Sequence, residues 1–343
     1  MATNRLQDLS SLEERLSRPD AALVDFVATL EGPLLVLGAG GKMGPSLCVQ
    51  AKRAADAAGK PLNVLAVSRF SDAALPASLA AKGVTPITCD LSDPAAVAAL
   101  PDASNIIYLV GVKFGTAGNP SLTWHCHTVV PALVAARYPG SRMVALSTGN
   151  VYPFVPVASG GAREDTPLEP VGEYAQSCLA RERIFSYYAD EKRISMVLMR
   201  LNYAVELRYG VLVDLARRIH AGQPVDLRMG YFNCIWQADA NSAIIRSLDL
   251  ATVPAAPLNL TGLETLSVQT LAQELAERME KPVVFSGRPA PTALLSNASS
   301  IHEKLNLMPT PLDTVLDWTA EWIKAGQPVW QKPTHFEVRD GAF

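Results

Sequence analysis

The sequence predicts an α/β fold, a doubly wound parallel sheet of the Rossmann type with a smaller, discontinuous C-terminal domain. Three observations predict it. Short apolar runs recur between Ala-rich helical stretches from Pro33 to about residue 200, and these runs lack the polar alternation of a half-exposed sheet. A glycine-rich segment, LLVLGAGGKMG, joins the first run to the first helix of the series. Unbroken apolar strands are what a parallel sheet requires, because helices cover both of its faces.

Residues 5–30 have helical apolar spacing broken near Pro19, which predicts two short helices ahead of the main unit. The strands then follow as LLVLG, NVLAVS, TPITCDL, NIIYLVG, RMVALST and ISMVLMRLN. Between them SLCVQAKRAADAAG ends on glycine, DPAAVAAL opens with an Asp cap before proline, and SLTWHCHTVVPALVAARYPG carries a long apolar face. Beyond residue 200 the rhythm loosens. The division expected is a helical extension (1–30), a dinucleotide-binding domain (31–200, with 232–258 returning to it), and a substrate domain with tail (201–231 and 259–343). The final residues of the tail are expected to be mobile.

The chain has 343 residues, 49% hydrophobic and 18% charged, with a formal net charge of −3, so nothing in its charge favours nucleic acid. The polar N-terminus does not read as a signal peptide, and no apolar run approaches the ~20 residues of a membrane span; a cytoplasmic protein is expected. Five cysteines without a CxxC pair indicate neither a disulfide framework nor a zinc site. His125 and His127 are two apart on a predicted helix and point to different faces, so no metal is expected.

Gly38, Gly41 and Gly44, with Lys42 and Met43 among them, lie between a strand and a helix. There glycines allow a tight turn and close backbone approach to a pyrophosphate, and the helix N-terminus offers unsatisfied N–H groups. The second strand ends in Ser68 and Arg69, where an NAD-preferring domain offers a carboxylate to the ribose. The planar fork of Arg69 suits a 2′-phosphate, which favours NADP and leaves NAD open. Asp90 and Leu91 end the third strand, where an adenine would be flanked.

RMVALSTGNVYP followed by PLEPVGEYAQSCLARERIF, together with the glycine loop, Asp90 and NLTGLETLSVQTLAQELAERM, resembles the extended short-chain dehydrogenase/reductase superfamily, in its NAD-dependent epimerase/dehydratase group. The resemblance runs over most of the chain. It implies that Thr148, four residues before Tyr152, orients the substrate oxygen and that Tyr174 is the acid/base of a YxxxK motif. It also implies substrate contacts from Asn150, Arg200, Asn202 and Tyr203, and from a His127 that stands where the family has Asn and either hydrogen-bonds or shuttles a proton there or is a buried, hydrogen-bonded histidine; it further implies a homodimer through the helices near 121–138 and 173–189.

One element departs from the family: the motif reads YAQSC, with Cys178 where lysine is expected. A tyrosine of pKa ~10 is only ~0.1% ionised at pH 7, and each unit of lost shift favours the neutral phenol by ~1.4 kcal/mol. Three explanations stay open at this level: another cation substitutes, the chemistry needs no tyrosinate, or the fold only binds ligand. Lys113, just after the fourth strand, leads as the substitute, since carboxyl ends of parallel strands surround the nicotinamide. Arg181, seven residues beyond Tyr174, lies ~10 Å along the helix axis and is expected to meet solvent or a phosphate. Cys178 reads as a packed thiol. The function expected is an NAD(P)-dependent oxidoreductase or epimerase acting on a hydroxyl or keto group of a small, polar, sugar-like molecule. The alternatives are a non-catalytic NAD(P)-binding sensor or interaction protein, and a dehydratase or lyase using transient oxidation.

Overall fold

In a computed structural model, residues 6–113 and 118–341 are described. Ala342 and Phe343, at the tail end expected to be mobile, lie outside the described residues. Seven parallel strands form the central sheet: β1 (Leu34–Leu37), β2 (Val64–Ser68), β3 (Thr85–Thr88), β4 (Asn105–Tyr108), β5 (Arg142–Thr148), β6 (Ser195–Leu201) and β7 (Ala256–Leu260). Their spatial order is β3-β2-β1-β4-β5-β6-β7, so the chain reverses direction across the sheet between β1 and β4. A crevice opens at the carboxyl ends of the strands at such a switch point.

The expected strands and helices are present, and burial explains the apolar runs. In β1, Leu34 and Val36 enter the core on one face of the sheet, while Leu35 and Leu37 enter the core on the other. All four are fully buried, each worth about 1.5–3 kcal/mol of burial. The first face is covered by α2 (Ala21–Thr29), α3 (Gly44–Ala57) and α9 (Gln237–Arg246). The second is covered by α5 (Pro94–Ala98), α6 (Pro120–Arg137) and α7 (Gly172–Lys192). A third core is built by α8 (Val211–His220), α10 (Val268–Met279) and α12 (Leu312–Lys324), and Leu12 and Leu16 of α1 (Leu9–Leu16) belong to it.

The two N-terminal helices are therefore shared between cores. α2 packs on α3 and α9, whereas the Arg15 guanidinium of α1 lies 5.0 Å from the ring centre of Trp318 on α12. Arg53 of α3 fastens the junction by donating to the Glu14 carbonyl at 3.0 Å and to Ser17 Oγ at 2.9 Å. Among the described residues no helix is long and apolar enough to cross a membrane.

Candidate active site

The glycine loop gives each glycine a separate steric reason. Gly38 has φ +84°, and a Cβ there would stand 2.9 Å from the Val110 amide nitrogen. At Gly44 a Cβ would come within 2.4 Å of the Ala39 carbonyl oxygen, so α3 docks on the loop only without a side chain. Gly41 differs, because its Cβ would meet only the Gly38 carbonyl, at 3.3 Å, and otherwise enter open space. The N-terminus of α3 carries no side-chain cap, leaving its N–H groups available to an anion.

Above this loop lies a cleft of about 380 Å³, lined by Gly38, Gly41, Lys42, Met43 and Gly44 on one side. Across it stand Lys113 after β4, Thr148 at the end of β5 and Asn150 just beyond it, Tyr174 and Arg181 of α7, and Asn202 and Tyr203 after β6. Thr148 ends β5 and accepts the Asn150 N–H at 3.2 Å, which fixes its hydroxyl at the floor. Tyr174 lines the cleft beside Thr148, and the Thr148 hydroxyl and the Cys178 thiol both act on its phenol. A larger cavity of about 650 Å³ lies on the far side of the glycine loop, between α1, α3, α4 (Leu75–Ala81) and residues 329–332, and none of the reacting hydroxyls reaches it.

Residues 34–230 match the NAD dependent epimerase/dehydratase family. The chain belongs to that family of enzymes. A dTDP-6-deoxy-L-talose 4-dehydrogenase (NAD(P)(+)) of Kitasatospora kifunensis is 29% identical over 240 residues, covering 66% of this chain and 70% of that protein. Among solved structures, UDP-glucuronic acid 4-epimerase from Bacillus cereus in complex with NAD superposes with a TM-score of 0.71 at 18% identity, over 85% of this chain and 96% of that one. RMD from Pseudomonas aeruginosa complexed with NADPH gives 0.67 at 19% identity, over 85% and 99%. These two share the fold.

A nicotinamide dinucleotide is the cofactor of this family, and the residues present fit it. The cradle at Gly41 is one that a Cβ would fill, and the uncapped helix end faces the same cleft. Lys42 adds a cation, its Nζ 3.0 Å from the centre of the Tyr209 ring. Burial, with Lys113 and Lys332 nearby, pushes the Lys42 ammonium down to about 7. Ser68, Arg69, Asp90 and Leu91 stand at the carboxyl ends of β2 and β3 and do not line this cleft. Arg69 is exposed, while Asp90 accepts from the Ser92 N–H at 3.0 Å and hydroxyl at 2.6 Å.

The structure changes the reading at three positions. Arg181 is buried, not in solvent, because its long side chain turns back toward the helix N-terminus as helical side chains do. Its Nη1 donates to the Val110 carbonyl at 3.1 Å and its Nη2 to Cys178 Sγ at 3.5 Å, while Nε has no partner among the described residues. Arg200 does not line the cleft. Its guanidinium is paired with Glu182 at 3.0 and 2.8 Å and donates to the Tyr152 hydroxyl at 2.7 Å, inside the junction of β6 and α7.

His127 is the third correction. It is fully buried, and its Nε2 accepts the Val112 N–H at 3.0 Å, so Nδ1 carries the proton and donates to Ser177 Oγ at 2.8 Å. Burial and then the Arg181 charge push its pKa down to about 3, so it stays neutral and shuttles no proton. Its work is to tie the loop after β4 to α7.

Lys113 lies over Tyr174, its Nζ 5.9 Å from the ring centre, and burial lowers its pKa to about 8. Burial holds the Tyr174 phenol far above its ordinary value, and the Cys178 thiol raises it further; Arg181 and Thr148 act in the opposite sense. Cys178 is a buried thiol whose own pKa burial raises. Tyr209 and Gln237 also line the cleft, and no local motif marks either of them in the sequence.

Proposed function

We propose that this chain is an NAD(P)H-dependent oxidoreductase whose favoured direction is reduction of a keto group on a small, sugar-like molecule. The observation that carries it is the placement of Tyr174 in the cleft beside Thr148 and Lys113, with burial holding its phenol protonated. A tyrosine held protonated is a proton donor and a poor base. When bound, the dinucleotide supplies the hydride. Thr148 holds the substrate oxygen, Tyr174 passes its proton to that oxygen, and Arg181 with Lys113 stabilises the phenolate left behind. Asn150 and Tyr203 contact the rest of the substrate.

NADP is the favoured dinucleotide on this reading. The end of β2 offers Arg69 and no carboxylate, and the exposed guanidinium makes no hydrogen bond or ion pair among the described residues. The reading takes 31–200 with 232–258 as the cofactor-binding part and 201–231 with 259–343 as the substrate-covering part, in line with the separate core around α8, α10 and α12. It includes a homodimer through α6 and α7, supported by exposed Leu122 and Val129 on the one and Tyr187 on the other. Buried free thiols at Cys48, Cys89, Cys178 and Cys234 suit a reducing cytoplasm.

The test is to replace Tyr174 with Phe and follow nicotinamide absorbance over a panel of keto sugars and sugar acids. Turnover by the wild type that disappears in the variant supports the reading; unchanged turnover removes Tyr174 from the chemistry, and NADPH binding without any turnover favours a sensor.

A further inference from the structure

We propose that the C-terminal segment, residues 334–341, sets the length of the substrate cleft and restricts this enzyme to a monosaccharide-sized substrate that carries no nucleotide. The inference rests on the oxidoreductase reading above and narrows its substrate class.

After α12 the chain runs back across the third core, and at Thr334 it meets Lys113 of the cleft lining. Four anchors hold it there. The Thr334 N–H and hydroxyl both donate to Asp214 Oδ2, at 2.7 and 2.6 Å, and its carbonyl accepts from Lys113 Nζ at 3.4 Å. Phe336 is buried, with its ring centre 6.2 Å from that of Phe232. Arg339 donates to the Thr292 carbonyl at 2.8 Å and hydroxyl at 2.7 Å, with its guanidinium 4.2 Å from the Phe154 ring centre. Gly341 packs directly on Gly172, where a Cβ would come 2.4 Å from the Val171 carbonyl oxygen.

The consequence is a matter of volume. Asn150 and Tyr203 line the cleft and also border the space beyond it. That space is a gap of about 20 Å³, with Val338 and Gly341 among the residues that line it. A gap of this size accepts about one water molecule. The cleft itself, about 380 Å³, sits near the low end of the ~300–1,000 Å³ of ligand pockets, and it must hold the reacting end of the cofactor as well as the substrate. A sugar ring fits beside Thr148 and Tyr174; a nucleoside diphosphate attached to that sugar meets the segment.

The experiment is calorimetric titration of the NADPH-loaded protein with UDP and with UDP-glucose. Three forms are compared: the intact chain, a chain ending at Pro333, and Gly341→Val, which drives the segment off Val171 while leaving the Phe336 anchor in place. The intact chain is expected to bind neither ligand, and the opened forms to bind UDP-glucose at least about tenfold more tightly than the intact chain. Binding of UDP-glucose by the intact chain as tight as by the opened forms overturns the proposal, and so does a folded Gly341→Val that gains nothing. Turnover of monosaccharide-sized keto acids is read separately. Its absence strikes the oxidoreductase reading, whereas ligand exclusion, being a binding measurement, stands or falls independently.

Discussion

The guanidinium of Arg181 folds back along α7 to Cys178, with Nη2 3.5 Å from Sγ, so a buried cation stands behind the thiol one helical turn from Tyr174. A cation therefore reaches Tyr174's surroundings from one turn beyond Cys178 on the same helix, and it lowers a phenol pKa that burial nonetheless keeps far above its ordinary value.

Replacing Arg181 with Met removes that charge and is expected to raise the Tyr174 pKa further. Alcohol oxidation, which needs the phenolate, should slow more than keto reduction, and its pH profile should move upward by about one unit, or ~1.4 kcal/mol. Arg181→Lys should recover part of the shift. Profiles measured in both directions check this, and an unmoved profile reduces Arg181 to a brace for Val110.

Tyr174→Phe removes the proton donor and leaves the glycine loop intact. The reductive kcat is expected to fall by ~10²–10⁴, with NADPH affinity unchanged by fluorescence titration. Loss of affinity in step with kcat would instead mean that Tyr174 holds the cofactor.

Cofactor affinity should fall as pH rises. Lys42 and Lys113 titrate at about 7 and about 8, so each is charged below its value and neutral above it, and an anion loses two cations across that window. NADPH titrations at about pH 6 and about pH 9 should differ by roughly ten- to a hundredfold, the range of a hydrogen bond to a charged group. Lys42→Met should flatten the lower half of the curve.

Two glycine substitutions should separate folding from binding. Gly44→Ala places a Cβ 2.4 Å from the Ala39 carbonyl oxygen and is expected to cost about 1–3 kcal/mol in urea unfolding. Gly41→Ala meets little protein and should leave stability nearly unchanged, while weakening NADPH at least about tenfold by occupying the phosphate approach.

Glu182→Ala leaves Arg200 buried without its carboxylate partner, since the side chains of both are about 5% exposed or less. The expected loss is about 3–5 kcal/mol in chemical unfolding. A loss below about 1 kcal/mol would show that water or Tyr152 replaces the pair.

The strands and the glycine loop were legible in the sequence. Their signals are local: LLVLG must be apolar because both faces of β1 are covered, and GAGGKMG must be glycine-rich because the backbone turns at Gly38 and α3 docks at Gly44. Tertiary structure alone decided which polar side chains face the cleft. In one dimension Arg200 and His127 are plausible site residues and Arg181 a solvent-facing one, yet only the Arg181 side chain lines the cleft; Arg200 is consumed by Glu182, and His127 by Val112 and Ser177. The gap beyond the cleft brings Val338 and Gly341 to Val171 and Gly172, about 170 positions away. No spacing rule encodes such a contact, because it follows from the path the chain takes around its third core.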